Sequence, residues 1–217
     1  MDYTFIIGPA FILALGACYF LFVHPNRSAL LVIDMQDDFC PGGSLGVTDG
    51  DTIVPIINEW ITRFRNENKL IIYSRDWHPE KTNHFKSPEN PQGWEVHCVA
   101  NTPGAAFHKD LVITDPKNIL SKGMEKDVDA YSAFDTGARI QGVNLHRFLK
   151  INRIKKLYVC GLATDFCVKK TVMDGIGYGY EVYLITNAMK GVNLHPGDHK
   201  KAIADMVAYG AFVYTGN

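Results

Sequence analysis

The chain has 217 residues, with 22 Lys and Arg against 23 Asp and Glu and a formal charge of −1. That length suits one domain with a sizeable core, and the balanced charge leaves no polybasic footprint, which argues against nucleic acid as a partner. The five cysteines, at 18, 40, 98, 160 and 167, include no C-x-x-C pair, so neither a disulfide framework nor a structural zinc site is indicated and a reducing compartment is expected.

Phe5 to Val23, "FIIGPAFILALGACYFLFV", is uncharged and about long enough to cross a bilayer as a helix. Asp2 precedes it and Arg27 follows it. This is the pattern of an N-terminal membrane anchor with the remainder in the cytoplasm, rather than of a cleaved signal peptide, which carries a basic n-region. Residues 1–27 are therefore set apart from a domain spanning 28–217.

Within 28–217, short apolar and β-branched runs at 29–35, 69–76, 118–123, 155–162, 181–188 and 211–216 read as strands. Helical periodicity fills most of the intervals, at 51–68, 142–153, 165–179 and 195–210. In the first of these, Ile53, Ile57, Trp60, Ile61 and Phe64 share one face. Alternation of this kind predicts an α/β fold: a doubly wound, mostly parallel six-stranded sheet with helices on both faces. The segment 77–114 has little periodicity and is rich in His, Trp, Asn and Pro, and loops of that length in compact domains are usually functional.

Ligands of open parallel sheets bind beyond the carboxyl ends of the strands. Asp34 ends the first predicted strand, Asp76 the second and Lys122 the third, and Cys167 follows the fourth at the start of a helical pattern. A thiol needs a base or a cation to become a nucleophile. Asp34 is a candidate base, Lys122 a candidate cation, and a helix N-terminus would favour the thiolate. Asp76, His78 and His97 supply one carboxylate and two imidazoles, a set that suits a divalent transition metal with open positions, with His84 and Glu95 as further candidate ligands. Cys160 lies within a strand and reads as packing, and Cys40 and Cys98 as free thiols of the loops.

The stretches "LLVIDMQDDFCPGGSL", "YSRDWHPEKTNHF", "WEVHCVANTPGAAFH", "SKGMEKDVDAYSAF" and "GLATDFCVKKTVMDG" resemble, in order, the nicotinamidase branch of the isochorismatase-like hydrolases. The resemblance implies a catalytic triad of Asp34, Lys122 and Cys167, and a divalent metal on Asp76, His78 and His97, zinc first with iron or manganese as alternatives. It also implies an oxyanion hole from the backbone N–H groups of Ala163 and Cys167, in a turn that usually includes a cis peptide. Phe39 and Trp94 fall where that branch sandwiches a pyridine ring, and Tyr131 where it closes the pocket. The implied reaction is hydrolysis of nicotinamide to nicotinate and ammonia through a cysteine thioester, in NAD salvage, with pyrazinamide as a second substrate. Related carbamoyl-amide hydrolases generally lack the D-x-H…H set and isochorismatases lack the cysteine. Hydrolysis of another small amide, or a tethered binding protein without turnover, are the competing readings, and a homo-oligomer is left open.

Overall fold

The computed structural model describes residues 28–128 and 130–215. The apolar segment 5–23 lies outside the described residues. Among those described, no helix is long and apolar enough to cross a membrane.

Six strands form one sheet: β1 (Ser28–Ile33), β2 (Leu70–Asp76), β3 (Ile119–Lys122), β4 (Lys156–Leu162), β5 (Glu181–Lys190) and β6 (Phe212–Val213). The order is β3-β2-β1-β4-β5-β6 and every pairing is parallel. The chain therefore winds outwards from β1 to β3, returns to the middle at β4, and winds outwards again. The reversal falls between β1 and β4, where a doubly wound sheet opens its binding crevice.

Sequence alternation decides which side each residue faces. Ala29, Leu31 and Ile33 pack into one core with α2 (Leu145–Ile151), α3 (Lys169–Gly177) and α4 (Asp198–Tyr209). Leu30 and Val32 pack into the other with α1 (Val54–Asn66). All six residues of β1 are buried, which is why that strand reads as a continuous apolar run rather than an alternating one. On α1, Ile57, Ile61 and Phe64 face the sheet, while Trp60 sits at its margin against Tyr158 and Tyr214.

The four α-helices among the described residues end alike. After α1, Asn68 adopts a left-handed conformation (φ 51°), its N–H reaches Arg65 O at 3.0 Å, and Lys69 N–H reaches Phe64 O at 2.9 Å. This paired closure absorbs orphan carbonyls and turns the chain straight into β2. Arg153, Gly179 and Gly210 occupy the corresponding positions after α2, α3 and α4, directly before β4, β5 and β6.

Several boundaries differ from the sequence expectation: β1 stops at Ile33 rather than running to 35, and the largest changes fall on the last two strands. β5 continues to Lys190, and β6 shrinks to Phe212–Val213. β6 is an edge strand with one partner and both of its residues are exposed, so little apolar burial supports a longer ladder.

Gly161 controls how closely β1 and β4 approach each other. Its φ is +110°, and a Cβ there would lie 2.1 Å from Ile33 O. Gly161→Ala is expected to cost about 2–5 kcal/mol, combining an unfavourable φ with a backbone clash. A fall in the urea midpoint at unchanged slope would show it.

Candidate active site

Asp34 follows β1 in a left-handed conformation (φ 46°), which turns its side chain into the sheet. The Ser74 hydroxyl donates to its Oδ1 at 2.6 Å, and Asp34 N–H donates to Ser74 O at 3.2 Å. Gln36, two residues on, is fully buried. Its amide donates to Asp76 O (2.8 Å) and Ala105 O (3.0 Å) and accepts from Asp76 N–H (2.7 Å), continuing the β1–β2 pairing with a side chain where the backbone has turned away. Neither Ser74 nor Gln36 was singled out in the sequence. The sign for Ser74 was a small hydroxyl two residues before Asp76, between Tyr73 and Arg75.

Lys122 is in register with Asp76 at the end of β3 and its side chain is wholly buried. Its ammonium lies 2.9 Å from Asp34 Oδ2, forms a short contact with Asp76 Oδ1, donates to Ala130 O at 3.1 Å and stands 3.5 Å from Cys167 Sγ. Burial alone would strip its proton. The two carboxylates outweigh burial and hold it well above the ordinary lysine value, so it stays charged. Burial drives Asp34 above the ordinary carboxylate value, with Lys122 opposing and Asp76 reinforcing. Burial pushes Asp76 the same way, but Lys122 and His78 overcome it and hold its carboxyl far below the usual range.

Cys167 belongs to a π-helical turn, Thr164–Val168, between β4 and α3. Its Sγ and one carboxylate oxygen each from Asp34 and Asp76 lie within 4.8 Å of one another. A helix terminus favours the thiolate, but burial outweighs it: burial pushes the thiol well above its ordinary value, Lys122 opposes, and Asp34 and Asp76 add to the rise. One ammonium does not offset burial and two facing carboxylates, so the thiol rests protonated with a base beside it. Leu162–Ala163, just before the turn, is a cis peptide.

The imidazoles gather next to this group. His78 Nδ1 bonds Gly123 O at 3.0 Å, and its Nε2 is buried without a hydrogen-bond partner, 3.7 Å from Asp76 Oδ2. Gly123 (φ +67°) permits the approach, because a Cβ there would sit 2.4 Å from the His78 ring. His97 Nδ1 bonds Glu95 O at 2.7 Å and its Nε2 stands 4.0 Å from Asp76 Oδ2. Ring nitrogens of His78, His84 and His97 lie within 4.8 Å of one another. Burial lowers His97 to about 4, keeping it neutral and able to ligate at neutral pH. Imidazoles with one nitrogen tied to a carbonyl and the other turned to a shared carboxylate fit a divalent cation. Glu95 contributes to this cluster by its carbonyl. Its carboxylate is 64% exposed and pairs with Lys86 at 3.2 Å, so it is not a ligand in this arrangement. The acidic side chain lies on the loop surface, where solvation favours it.

A cavity of about 250 Å³ opens over both groups, lined by Phe39, Asp76, His84, Trp94, His97 and Cys167 among others. Trp94 Nε1–H donates to Tyr131 Oη at 2.8 Å, and Phe166 meets Trp94 edge-on with ring centroids 5.1 Å apart. Phe39 packs 5.5 Å from the His97 ring. Phe166, Ala163, Val192 and Leu194 also line it. Of these, Phe166, Val192 and Leu194 were not anticipated; adjacency to Cys167 was the only sequence sign for Phe166. Cys40, Cys98 and Cys160 are free, buried and, unlike Cys167, absent from the cavity wall.

A thiol, a carboxylate and an ammonium at the switch point of a doubly wound sheet, beside an imidazole cluster, form an arrangement suited to covalent hydrolysis. The chain belongs to the isochorismatase family: the profile of the isochorismatase domain matches residues 28–217. A nicotinamidase of Escherichia coli (strain K12) is 40% identical over 200 residues, covering 86% of this chain and 94% of its own. The pyrazinamidase of Pyrococcus horikoshii, solved in complex with zinc, superposes with a TM-score of 0.74 at 41% identity, over 88% of this chain and 99% of its own. A protein of L. infantum solved with nicotinate gives 0.74 at 31% identity, over 86% and 91%.

Proposed function

We propose that this chain is a metal-dependent nicotinamidase, hydrolysing nicotinamide to nicotinate and ammonia through a thioester on Cys167. The observation that carries this reading is the position of Asp76. One of its carboxylate oxygens meets the Lys122 ammonium beside the thiol, and the other faces the imidazoles, 3.7 Å from His78 Nε2 and 4.0 Å from His97 Nε2. Nucleophile and metal-type cluster thus share one residue on the wall of a small aromatic cavity. The nicotinamidase names and the zinc and nicotinate complexes of its relatives support the same reading.

Asp76, His78 and His97, with His84 adjoining, would hold the ion, with zinc the first choice and iron or manganese alternatives. When bound, the cation supplies an electrophilic position for a pyridine nitrogen and for water. Phe39, Trp94 and Tyr131 enclose the ring and exclude bulk solvent. Asp34 takes the thiol proton as Sγ bonds to the carboxamide carbon, and its raised pKa suits it to that role. Lys122 offsets the negative charge passing between Cys167 and Asp34. Backbone N–H groups of Ala163 and Cys167 receive the oxyanion, a contribution of ~3 kcal/mol per donor. Asp34 then protonates the amide nitrogen, the C–N bond breaks and ammonia leaves. Water adds to the thioester as Asp34 accepts its proton; the C–S bond breaks, Cys167 recovers the proton, and nicotinate departs. Residues 28–217 carry this whole site, and the reading places them in the cytoplasm, acting in NAD salvage, with pyrazinamide as a second substrate.

Chelation is expected to abolish turnover and added zinc to restore it. Acid-quenching during turnover is expected to trap a nicotinoyl adduct on the Cys167 peptide by mass spectrometry. A chelated protein with undiminished turnover would sink the metal assignment, and an adduct-free quench of an enzyme whose thioester step limits the rate would sink the thioester.

A further inference from the structure

Outside the triad and the imidazoles, the nucleophile turn makes a second set of bonds that the proposed mechanism does not use. Asp165 stands two residues before Cys167. Its Oδ1 accepts Val192 N–H at 2.9 Å and its Oδ2 accepts Asn193 N–H at 2.8 Å. Asn193 is left-handed (φ 55°), so two successive N–H groups converge into a concavity of the kind that binds anions, here filled by a carboxylate of the chain itself. Gly191 permits the approach, since a Cβ there would lie 2.8 Å from His199 Cβ and 3.2 Å from Asp165 Oδ1.

The neighbouring residue ties the same two segments. His199 Nδ1 meets the hydroxyl of buried Thr164 at 3.0 Å, and Asn193 Oδ1 accepts His199 N–H at 2.9 Å. Thr164 thus grips the first turn of α4, and Asp165 the stretch that leads into it from β5. That stretch faces the reaction, because Val192 and Leu194 line the same cavity as Cys167. Leu194 is apolar yet 60% exposed, as expected of a residue at the rim rather than in the core.

We infer that Asp165 is a positioning residue for substrate selection: by holding Val192 and Leu194 at a fixed distance from Cys167, it sets the size of ring the cavity admits. Two hydrogen bonds to a charged acceptor are strong enough to fix a loop. Apolar walls discriminate modestly, by roughly tenfold to a few hundredfold per added carbon, so a displaced wall shows first in KM and in selectivity. This inference rests on the nicotinamidase reading.

The test compares nicotinamide with 5-methylnicotinamide as substrates of the zinc-loaded wild-type chain, Asp165→Ala, Asp165→Asn and Leu194→Ala. Asp165→Ala is expected to raise KM for nicotinamide about tenfold with kcat within about threefold, and to narrow the kcat/KM preference over the methylated ring about fivefold. Asp165→Asn keeps one acceptor and should fall between wild type and alanine. Leu194→Ala, at an exposed position that does not threaten folding, should narrow the preference in the same direction; should Asp165→Ala fail to fold, the asparagine and Leu194 variants decide. Unchanged KM and selectivity in the folded variants, or a fall in kcat alone, would overturn the inference while leaving the activity standing. A wild-type chain inert towards both amides would overturn the underlying reading instead.

Discussion

Cys167→Ala is expected to lower nicotinamide turnover by about 10⁴-fold or more while leaving the fold and the metal content of a zinc-loaded sample unchanged. The magnitude is that of removing the nucleophile from an enzyme whose chemistry passes through a covalent intermediate. The separation of effects follows from geometry. Cys167 Sγ belongs with Asp34, Asp76 and Lys122, whereas the imidazole nitrogens gather on the other oxygen of Asp76. The substitution removes a thiol that is protonated at rest, so it leaves no uncompensated charge. Turnover measured as nicotinate release, with zinc content and thermal midpoint followed in parallel, checks all three. Activity within tenfold of wild type would mean that water attacks the amide directly and that the thiol is a bystander.

Lys122→Met is expected to be the most destabilising single substitution in the site, costing about 3–5 kcal/mol in the zinc-free protein. The ammonium has no solvent contact and stands against two fully or nearly buried carboxylates, those of Asp34 and Asp76. Without it, both must stay charged and unpaired or take up protons in the interior. The double variant Lys122→Met with Asp34→Asn should recover part of the loss, because one of the two stranded charges is then gone. Urea unfolding of single and double variants measures the coupling. A loss below about 1 kcal/mol, the range of exposed ion pairs, would show that the group is hydrated and not held as described. Lys122→Met should also be inactive, since the ammonium 3.5 Å from Sγ is the cationic side chain that offsets the negative charge there.

The fold was legible because its strands are buried on both faces. Runs such as "ALLVIDM" read as strands without alternation, and the helical patterns between them point to parallel pairing. Strand lengths were less legible, because they depend on neighbours: β5 gains length from β4 beside it, and β6 loses length at the edge. In the site, strand ends brought Asp34, Asp76, Lys122 and Cys167 to one edge, as the architecture requires. Contributions made by backbone rather than side chain stayed hidden, as with the Glu95 carbonyl behind His97 and the Gly123 carbonyl behind His78. Gln36 stayed hidden because an amide replacing strand pairing leaves no periodic signature. The need for a base beside the thiol was legible in the sequence, whereas the burial and the two facing carboxylates that raise it emerge only in three dimensions.

Incubation of the full-length, zinc-loaded chain with nicotinamide tests the central claim most directly. Nicotinate and ammonia should appear in equal amounts, catalytically, and stop appearing when the protein is chelated or carries Cys167→Ala. A folded, zinc-loaded chain that releases neither product would contradict the account, and release of ammonia from a carbamoyl amide instead would reassign the same triad to a different substrate.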